Sequence, residues 1–358
     1  MKITSLKINN FRNIDNIEII PTEEINIIHG ENAQGKTNII EALWLFTGAK
    51  SFRGAKDKEL IKFQEEKSKL FLSFYAEERN QEAEIEIENK RKASLNGIKL
   101  SSASKLSEGI KAIVFSPEHL SLIKDGPEER RKFLNIAISQ LYPHYGDILR
   151  KYYRTLKQRN AILKDVKYNS SVLDFLYEYD FALATFAESI IKMRKKYIER
   201  IKEYIPEIYS GLTENKESLK IEYKISQDVC LRDEIIEKLK EKREEDIILG
   251  TTSVGPHKDD LIFYINNIEA RSFGSQGQQR SIVLALKMAE AELLKEITGE
   301  QPVALLDDVM SELDPKRQDY LLNHIKNWQV FITCCDSSTI ERLENGKTFL
   351  VEKGKIIE

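Results

Sequence analysis

Hydrophobic and polar residues alternate over much of the first third of the chain. Residues 2–9 follow this two-residue period loosely and residues 82–88 follow it strictly, while residues 70–76 form a further apolar segment between them. Because alternation places apolar side chains on one face of an extended segment, these residues are predicted to form strands with one buried face. Asn96-Gly97 predicts a hairpin turn after them. Together, these segments indicate a mixed sheet in the N-terminal third.

The apolar spacing changes to a helical period between Pro127 and about Ser210. A seven-residue repeat runs through the second half of this segment, and Asp180 and Arg194 interrupt its companion positions. Such a repeat is typical of helices that pack side by side. The segment therefore predicts two long antiparallel helices joined by a turn at 168–171. The repeat consists of Leu176, Leu183, Ile190, Tyr197 and Tyr204.

Apolar runs typical of strands return after Gly211. They predict strands at 219–225, 261–265, 303–306 and 330–333, and a C-terminal hairpin. Helical spacing predicts one helix over about 231–245 and another that opens after residue 275. The buried stripe of this last helix is predicted to be Ile282, Leu286, Ala289 and Leu293. Strands and helices in this order indicate an α/β fold.

One glycine-bounded segment carries the clearest chemistry. An apolar run at 25–28 leads into GENAQGKT at 30–37, and helical spacing follows. A strand, such a loop and a helix form the context of a phosphate-binding loop. Lys36 is predicted to reach the β- and γ-phosphates, and Thr37 to complete a Mg²⁺ shell. The predicted nucleotide-binding residues are Gly30, Glu31, Asn32, Ala33, Gln34, Gly35, Lys36 and Thr37.

Composition and charge narrow the class of protein. Hydrophobic residues make up 41% and charged residues 32%, as in soluble globular proteins. The chain has no long apolar run and no N-terminal signal-peptide pattern, which predicts no membrane partner and a cytoplasmic location. The three cysteines have neither zinc nor disulfide spacing. With a net charge of −3, any DNA contact is expected to come from a local basic region.

Two carboxylates follow the apolar strand predicted at 303–306. These are Asp307 and Asp308. Together with a phosphate-binding loop, they predict Asp307 as a residue of the Mg²⁺ shell and Asp308 as the group that orients or deprotonates an attacking water. Taken alone, an apolar strand that ends in two carboxylates is commonly just a solvated strand end.

The segment before Arg280 has two interpretations. Ser275 is a common helix-capping residue, which gives it a structural role. Ser275, Gly277 and the helix dipole also suit a second phosphate cradle. Since the chain has one phosphate-binding loop, two cradles for a single triphosphate predict two protomers that hold it between them.

These motifs resemble those of the RecF family of bacterial recombination-repair ATPases, which are related to SMC and ABC ATPases. The similar blocks occur in the same order along nearly the whole chain. They are Asn10-Phe-Arg-Asn13, GENAQGKT (30–37), FSPEHL (115–120), GPHKDD (255–260), SQGQQRS (275–281), LLDDVMSELD (305–314) and FITCCD (331–336).

The resemblance implies an α/β fold with an ABC-ATPase-type head and mixed β-sheet, formed by residues 1–125 and 213–358. An α-helical hairpin arm at 126–212 is inserted in it. The resemblance also implies ATP and Mg²⁺ as cofactors. Ser275, Gly277 and Gln278 match the signature that faces the partner's γ-phosphate, Asp314 matches a carboxylate at the dimer seam, and Arg12 is placed near the nucleotide. The catalytic residues are then Lys36, Ser275 and Asp308.

Two positions depart from the family pattern. Thr333 stands where ABC ATPases carry a switch histidine, and Ser116 stands where a Q-loop glutamine is expected. A histidine-based γ-phosphate sensor and a glutamine in the Mg²⁺ shell are therefore not assigned.

The function implied by the resemblance is a weak DNA-stimulated ATPase. ATP drives head-to-head homodimerisation on DNA at gaps or stalled forks, and slow hydrolysis resets the dimer. The protein then assists recombinase loading with RecR and RecO and supports the SOS response. The alternative is a P-loop kinase or another small-molecule NTPase. A structural SMC-like tether is disfavoured, because an arm of this length has no room for a hinge domain.

Two basic clusters are candidates for DNA contact. Arg53 and Lys56 follow the predicted phosphate-loop helix, and Arg130, Arg131 and Lys132 begin the helical segment. The second cluster could also be an ordinary solvated helix start. Positive charge at a helix N-terminus opposes the macrodipole, however, which favours a functional role for these three residues.

Overall fold

A computed structural model describes residues 1–166, 173, 175–335 and 346–357. The chain divides into two compact units. The first unit comprises Met1–Leu120, Glu207–Lys216 and Gln276–Glu358, and the second comprises Ser121–Pro206 and Glu217–Ser275. No helix within the described ranges is long and apolar enough to cross a membrane.

The elements agree closely with the predicted segments. The strands are β1 (Lys2–Phe11), β2 (Ile14–Ile19), β3 (Ile25–His29), β4 (Ser68–Ala76), β5 (Arg79–Ile87), β6 (Arg91–Leu95), β7 (Ile98–Lys99), β8 (Ala112–Phe115), β9 (Leu219–Lys224), β10 (Asp260–Ile265), β11 (Ile268–Glu269), β12 (Val303–Asp307), β13 (Val330–Cys334), β14 (Lys347–Glu352) and β15 (Lys355–Ile357). The α-helices are α1 (Lys36–Leu45), α2 (Ser121–Lys124), α3 (Pro127–Leu141), α4 (Pro143–Asp165), α5 (Leu176–Leu212), α6 (Arg232–Glu241), α7 (Arg243–Leu249), α8 (Ala270–Phe273), α9 (Gln276–Thr298) and α10 (Pro315–His324).

The first unit contains two sheets instead of the one mixed sheet predicted for the N-terminal third. One is antiparallel, with the strand order β2-β1-β4-β5-β6-β7. On β5, Ala83, Ile85 and Ile87 are buried in alternation, as the sequence predicts. The antiparallel sheet does not include β3, because β3 pairs with strands from the other end of the chain.

The second sheet is mixed and has the order β15-β14-β3-β13-β12-β8. β3 lies parallel to both β13 and β14, and β12 lies parallel to β13 and β8. Every residue of β12 and β13 is buried, as expected for parallel strands covered on both faces. This pairing brings the carboxyl ends of β3, β12 and β13 to one edge of the sheet.

The second unit has helices and a three-stranded sheet of order β11-β10-β9. The sequence assigns residues 213–358 to the head, whereas Glu217–Ser275 cluster with the helices. The physical reason is side-chain pairing: Arg130 and Arg194 of the helices form ion pairs with Asp260 and Asp259.

The helical segment itself differs from the prediction of two helices. Three helices, α3, α4 and α5, cover it, and Pro143 begins the second of them. The turn predicted at 168–171 lies outside the described residues. The helix predicted over 231–245 is likewise divided, into α6 and α7.

Asp180 and Arg194 do not weaken the packing of α5 as their charges suggested. Both side chains are buried and paired: Asp180 accepts a 2.7 Å hydrogen bond from Arg159, and Arg194 lies 3.4 Å from Asp259. Arg159 also donates to Asp246 at 2.8 Å. These groups are therefore internal cross-links of the second unit, since each buried charge has an opposite partner.

Candidate functional site

The loop between β3 and α1 depends on two glycines with backbone angles that other residues rarely adopt. Gly30 has φ 146° and Gly35 has φ 115°. A Cβ atom at Gly35 would lie 2.8 Å from Asn13 Oδ1, and one at Gly30 would collide with the Val351 carbonyl oxygen. Glycine is thus required at both ends of the loop for conformation and for space.

Lys36, the first residue of α1, has its ammonium group folded back over the loop. Its Nζ donates to the carbonyl oxygens of Gly30 and Glu31, both at 2.7 Å, and lies 3.1 Å from Cys335 Sγ. The Cys335 thiol in turn donates to Asn32 Oδ1 at 2.9 Å. The lysine is therefore held at the mouth of the phosphate-binding loop by neutral groups that an anion can replace.

Asp307, at the end of β12, receives hydrogen bonds from two hydroxyl groups. Thr37 Oγ1 donates at 2.8 Å and Thr333 Oγ1 at 2.9 Å, both to Asp307 Oδ1. Burial raises the pKa of this carboxyl, while the two threonine hydrogen bonds lower it. Hard oxygen atoms of a carboxylate and a threonine suit Mg²⁺, which commonly retains several waters. The donor set therefore fits the predicted metal.

Asp308 differs from its neighbour in exposure and in backbone conformation. Its side chain is exposed and its φ is 52°, in the left-handed region. Ser311 Oγ donates to Asp308 Oδ1 at 3.1 Å, and the Asp308 backbone N–H donates to Thr333 Oγ1 at 2.9 Å. This backbone turn directs one carboxylate towards Thr37 and leaves the other accessible to solvent.

These groups line a cavity of about 1020 Å³ in the first unit. Asn32, Ala33, Gly35, Lys36 and Thr37 form part of its wall, together with Asp308, Thr333 and Cys335. Gly30, Glu31 and Gln34 line a neighbouring cavity of about 460 Å³. Burial and Lys36 lower the pKa of His29 beside that second cavity. The predicted loop residues are therefore brought together around open space.

Arg12 and Arg53 also line the larger cavity. Arg12 donates bidentate hydrogen bonds of 2.9 and 3.0 Å to the carboxylate of buried Glu41. It also donates to the Glu59 carbonyl oxygen at 3.1 Å. Arg53 donates to Asn38 at 3.1 Å and lies 3.7 Å from Glu118. Glu41 thus fixes the orientation of Arg12 on the cavity wall, and the predicted contact of Arg12 with a nucleotide stays a prediction. Arg53, predicted to contact DNA, also lies on the wall of this cavity.

The signature residues Ser275, Gly277 and Gln278 lie at the start of α9. The residues that line the larger cavity include neither Gly277 nor Gln278, both half-exposed near the start of α9. Ser275 is exposed and immediately precedes that helix. Such accessibility is what a surface that faces a second protomer requires, and the same accessibility suits a helix cap.

Asp314 and the α9 segment are linked through one arginine. Asp314 Oδ1 caps α10 by accepting from the Arg317 backbone N–H at 3.1 Å, and Arg317 Nε donates to Ser281 at 2.8 Å. The Asp314 side chain, which also contacts the Arg317 guanidinium, remains exposed.

Ser116, which stands at the position of the expected Q-loop glutamine, is buried. It lines a small cavity together with Arg280 and Glu312, and the phosphate-binding loop does not line that cavity.

The basic cluster predicted at the start of α3 is largely committed to internal contacts. Arg130 is only 3% exposed, forms bonds of 2.7 and 3.0 Å with the Asp260 carboxylate, and donates to two backbone carbonyls. Arg130 is therefore engaged in internal contacts, and its predicted DNA contact stays a prediction. Arg131 donates to the Asp259 carbonyl oxygen, and Lys132 pairs with Glu129. Lys56 is exposed.

Sequence reasoning missed three participants in this site. Thr333 was noted only as a missing histidine, yet its hydroxyl joins Asp307 to the Asp308 backbone. Glu41 and Cys335 were not singled out at all. Glu41 occurs on an apolar helix face, which is a signal that could have found it. Nothing in the sequence pairs Cys335 with Lys36.

Comparisons with known proteins agree on one family. Residues 2–357 match the family described as RecF/RecN/SMC N terminal domain. A DNA replication and repair protein RecF from Clostridium perfringens is 40% identical over 362 residues, which cover 99% of each chain.

Solved structures of the same family are also similar to this chain. A structure of the recombination mediator protein RecF-ATPrS in the RecFOR pathway is 35% identical with a TM-score of 0.91, covering 99% of this chain and 97% of that one. An Smc head domain from Pyrococcus furiosus is 16% identical with a TM-score of 0.55, covering 99% of this chain and 96% of that one, which supports the ABC-type head fold alone.

Proposed function

Because the chain belongs to the RecF family of RecF/RecN/SMC proteins, we propose that it is an ATP-dependent DNA-binding protein of recombinational repair. The observation that carries the proposal is that Lys36 and Thr37 line one large cavity and that Thr37 is hydrogen-bonded to the carboxylate of Asp307. This geometry is suited to a nucleoside triphosphate with a divalent cation. In this proposal the protein works in the cytoplasm, where ATP and DNA are both available.

Each residue of the loop has a distinct task in nucleotide binding. The backbone N–H groups between Gly30 and Gly35 and the positive end of α1 bind phosphate oxygens. Lys36 leaves its contacts with two carbonyl oxygens and reaches the β- and γ-phosphates. Thr37 and Asp307 would hold Mg²⁺, which when bound would neutralise charge on the phosphates. Arg12 lies on the cavity wall, where Glu41 fixes its orientation.

Hydrolysis is assigned to the exposed carboxylate. Asp308 lines the cavity and accepts a hydrogen bond from Ser311, which supports the proposal that its carboxylate accepts a proton from an attacking water. The chain has one phosphate-binding loop, and its signature residues Ser275, Gly277 and Gln278 lie on accessible surface. A second protomer is therefore proposed to complete each site, so that ATP drives head-to-head dimerisation and slow hydrolysis reverses it.

In this role the dimer binds gapped DNA or stalled forks, and DNA stimulates the weak ATPase. RecR and RecO are the proposed partners in recombinase loading, and support of the SOS response follows from that activity. These assignments rest on family membership and on the similarity of this chain to RecF-ATPrS, a recombination mediator protein of the RecFOR pathway.

The decisive experiment compares the oligomeric state and DNA binding in the presence and absence of ATP. Light scattering is expected to give a monomer without nucleotide and a dimer with ATP and Mg²⁺. Fluorescence anisotropy with labelled DNA is expected to show tighter binding under the dimeric condition. A protein that hydrolyses ATP but neither dimerises nor binds DNA would instead be a small-molecule NTPase.

A further inference from the structure

Helix α4 of the second unit has an unusual distribution of charge. No Asp or Glu occurs between Asp147 and Asp165, whereas this interval contains six Lys and Arg residues. One of them, Arg159, is buried and paired with Asp180 and Asp246. The other five are exposed: Arg150, Lys151, Arg154, Lys157 and Lys164.

Four of the five exposed cations fall on one side of the helix. At about 100° per residue, Arg150, Arg154, Lys157 and Lys164 lie within an arc of about 80°, and Lys151 lies outside it. The buried residues of α4 occupy the opposite side of the same helix: Tyr145, Tyr152, Thr155, Leu156, Arg159 and Leu163. With a rise of about 1.5 Å per residue, the cations span about 21 Å along the axis.

Three of these side chains have no acidic partner in the described part of the chain. Arg150 pairs with Asp147, but Arg154, Lys157 and Lys164 form no ion pair with a described residue. We call these three residues the α4 basic stripe. Neighbouring like charges at helical spacing destabilise a helix by about 0.2–0.5 kcal/mol per pair. Arg154 and Lys157, three positions apart, form such a pair, so the stripe carries a small local energetic cost.

Helix α6 of the same unit shows the ordinary arrangement. Lys238 pairs with Glu241, Lys240 with Glu237, and Lys242 after the helix with Glu245. These three lysines, of which Lys240 is exposed and the other two are half-buried, are thus neutralised by nearby carboxylates. The α4 basic stripe departs from this arrangement in its own unit.

A groove runs beside the stripe. It has a volume of about 420 Å³ and is lined by Tyr153, Leu156, Lys157, Asn160, Ala161 and Lys164. Tyr153 is 41% exposed, although aromatic residues usually bury most of their surface. Tyrosine hydroxyls, asparagine amides and lysine ammonium groups are all common donors to phosphate and sugar oxygens.

We propose that the α4 basic stripe and its groove bind the phosphate backbone of DNA. The inference rests on the proposed function, since DNA is the polyanion that this function supplies. The contact is sequence-independent, because it offers charge and hydrogen-bond donors to the backbone without an element inserted into a groove of the duplex.

The test compares two variants that lose the same net charge at different places. Arg154→Gln/Lys157→Gln/Lys164→Gln removes the stripe, and Lys238→Gln/Lys240→Gln/Lys242→Gln removes three paired lysines. Glutamine preserves helix propensity and most of the aliphatic stem. Both variants are first checked by circular dichroism and thermal melting. Binding of labelled duplex DNA with ATP is then measured at about 50 to 200 mM salt.

The stripe variant is expected to bind DNA more weakly, with the log–log salt slope reduced by about 0.9 for each lost phosphate contact. The α6 variant is expected to retain the wild-type slope. In the wild type, DNA is expected to protect Lys157 and Lys164, but not Lys238, from an amine-acylating reagent. This protection tests the site without any substitution.

The contrary outcomes are distinct. An equal loss of DNA affinity in both variants would show that the effect comes from net charge and would overturn the inference. A stripe variant with wild-type DNA affinity and salt slope would show that α4 is not part of the DNA interface. Polyglutamate binding is measured with the same variants as a probe for an acidic protein. A stripe variant that loses polyglutamate binding but keeps DNA binding would assign the stripe to such a protein and overturn the inference. A wild-type protein that binds no DNA with ATP would overturn the proposed function and this inference together.

Discussion

The Thr37 hydroxyl donates a 2.8 Å hydrogen bond to Asp307 Oδ1, although the two residues are 270 positions apart in the chain. Thr333, from a third segment, donates to the same oxygen. The parallel pairing of β12 with β13, and of β13 with β3, brings these segments to one edge of the sheet. The candidate metal site is thus assembled by strand register.

Replacing Asp307 with Asn is expected to stabilise the protein without nucleotide while removing Mg²⁺-dependent ATP turnover. Burial raises the pKa of Asp307, so its ionised form opposes folding at neutral pH, and stability rises as pH falls through the folded-state pKa. The amide removes that charge and its pH dependence. Calorimetry measures the melting temperature of the variant at several pH values. The control is Asp319→Asn, since Asp319 is exposed. A lower melting temperature for Asp307→Asn would show that the threonine hydrogen bonds outweigh burial.

Lys36→Ala is expected to abolish ATP binding, because the loop loses its positive point charge on the β- and γ-phosphates. The loop also loses two 2.7 Å hydrogen bonds, each worth about 1 kcal/mol. Titration calorimetry with ATP and Mg²⁺ measures the affinity of each variant for ATP. Lys50→Ala removes an exposed lysine beyond the same helix and is the matched control. Wild-type affinity in Lys36→Ala would contradict the phosphate-loop assignment.

Asp308→Asn is expected to bind ATP and dimerise but to hydrolyse ATP about 10²–10⁴-fold more slowly, since an amide cannot accept the proton of the attacking water. Single-turnover measurements separate this step from binding. Ser311→Ala is expected to give a smaller decrease, because Ser311 only orients the carboxylate. Undiminished turnover in Asp308→Asn would move the base to another residue, with Asp307 the next candidate.

Ser275→Arg is expected to leave ATP binding by the monomer intact while blocking ATP-driven dimerisation. The added bulk and charge would occupy the surface where the γ-phosphate of the partner docks. Light scattering with ATP provides the measurement, and Ser272→Arg is the control, since Ser272 is also exposed and lies three positions earlier. A normal dimer in Ser275→Arg would leave Ser275 only a helix cap.

Arg130→Ala is expected to destabilise the second unit by about 3 kcal/mol, because its removal leaves Asp260 without its charged partner. Urea denaturation followed by circular dichroism measures the change. Lys132→Ala is the control and is expected to change stability by about 0.5 kcal/mol or less, since its pair with Glu129 is half-exposed. Equal stability of the two variants would contradict an internal role for Arg130.

The phosphate-binding loop, the strand that ends in Asp307 and the approximate bounds of β9, β10 and β13 were predictable from sequence. Each depends on residues close together along the chain: a glycine at either end of a loop, an apolar period, or an Asn-Gly turn. Local sequence determines such features because the backbone conformations and the burial pattern involved are set by a few adjacent residues.

Tertiary structure alone decided which distant side chains meet. Arg130 and the residues of the α4 basic stripe look alike in sequence, yet Arg130 is buried against a carboxylate 130 positions away and the stripe is exposed. Likewise, Thr333 became part of the site only because β13 lies between β3 and β12. The residue type determines whether a side chain carries a charge or a hydroxyl group. Which side chain it contacts is determined by strand register and helix packing, because these bring together segments that are far apart in the sequence.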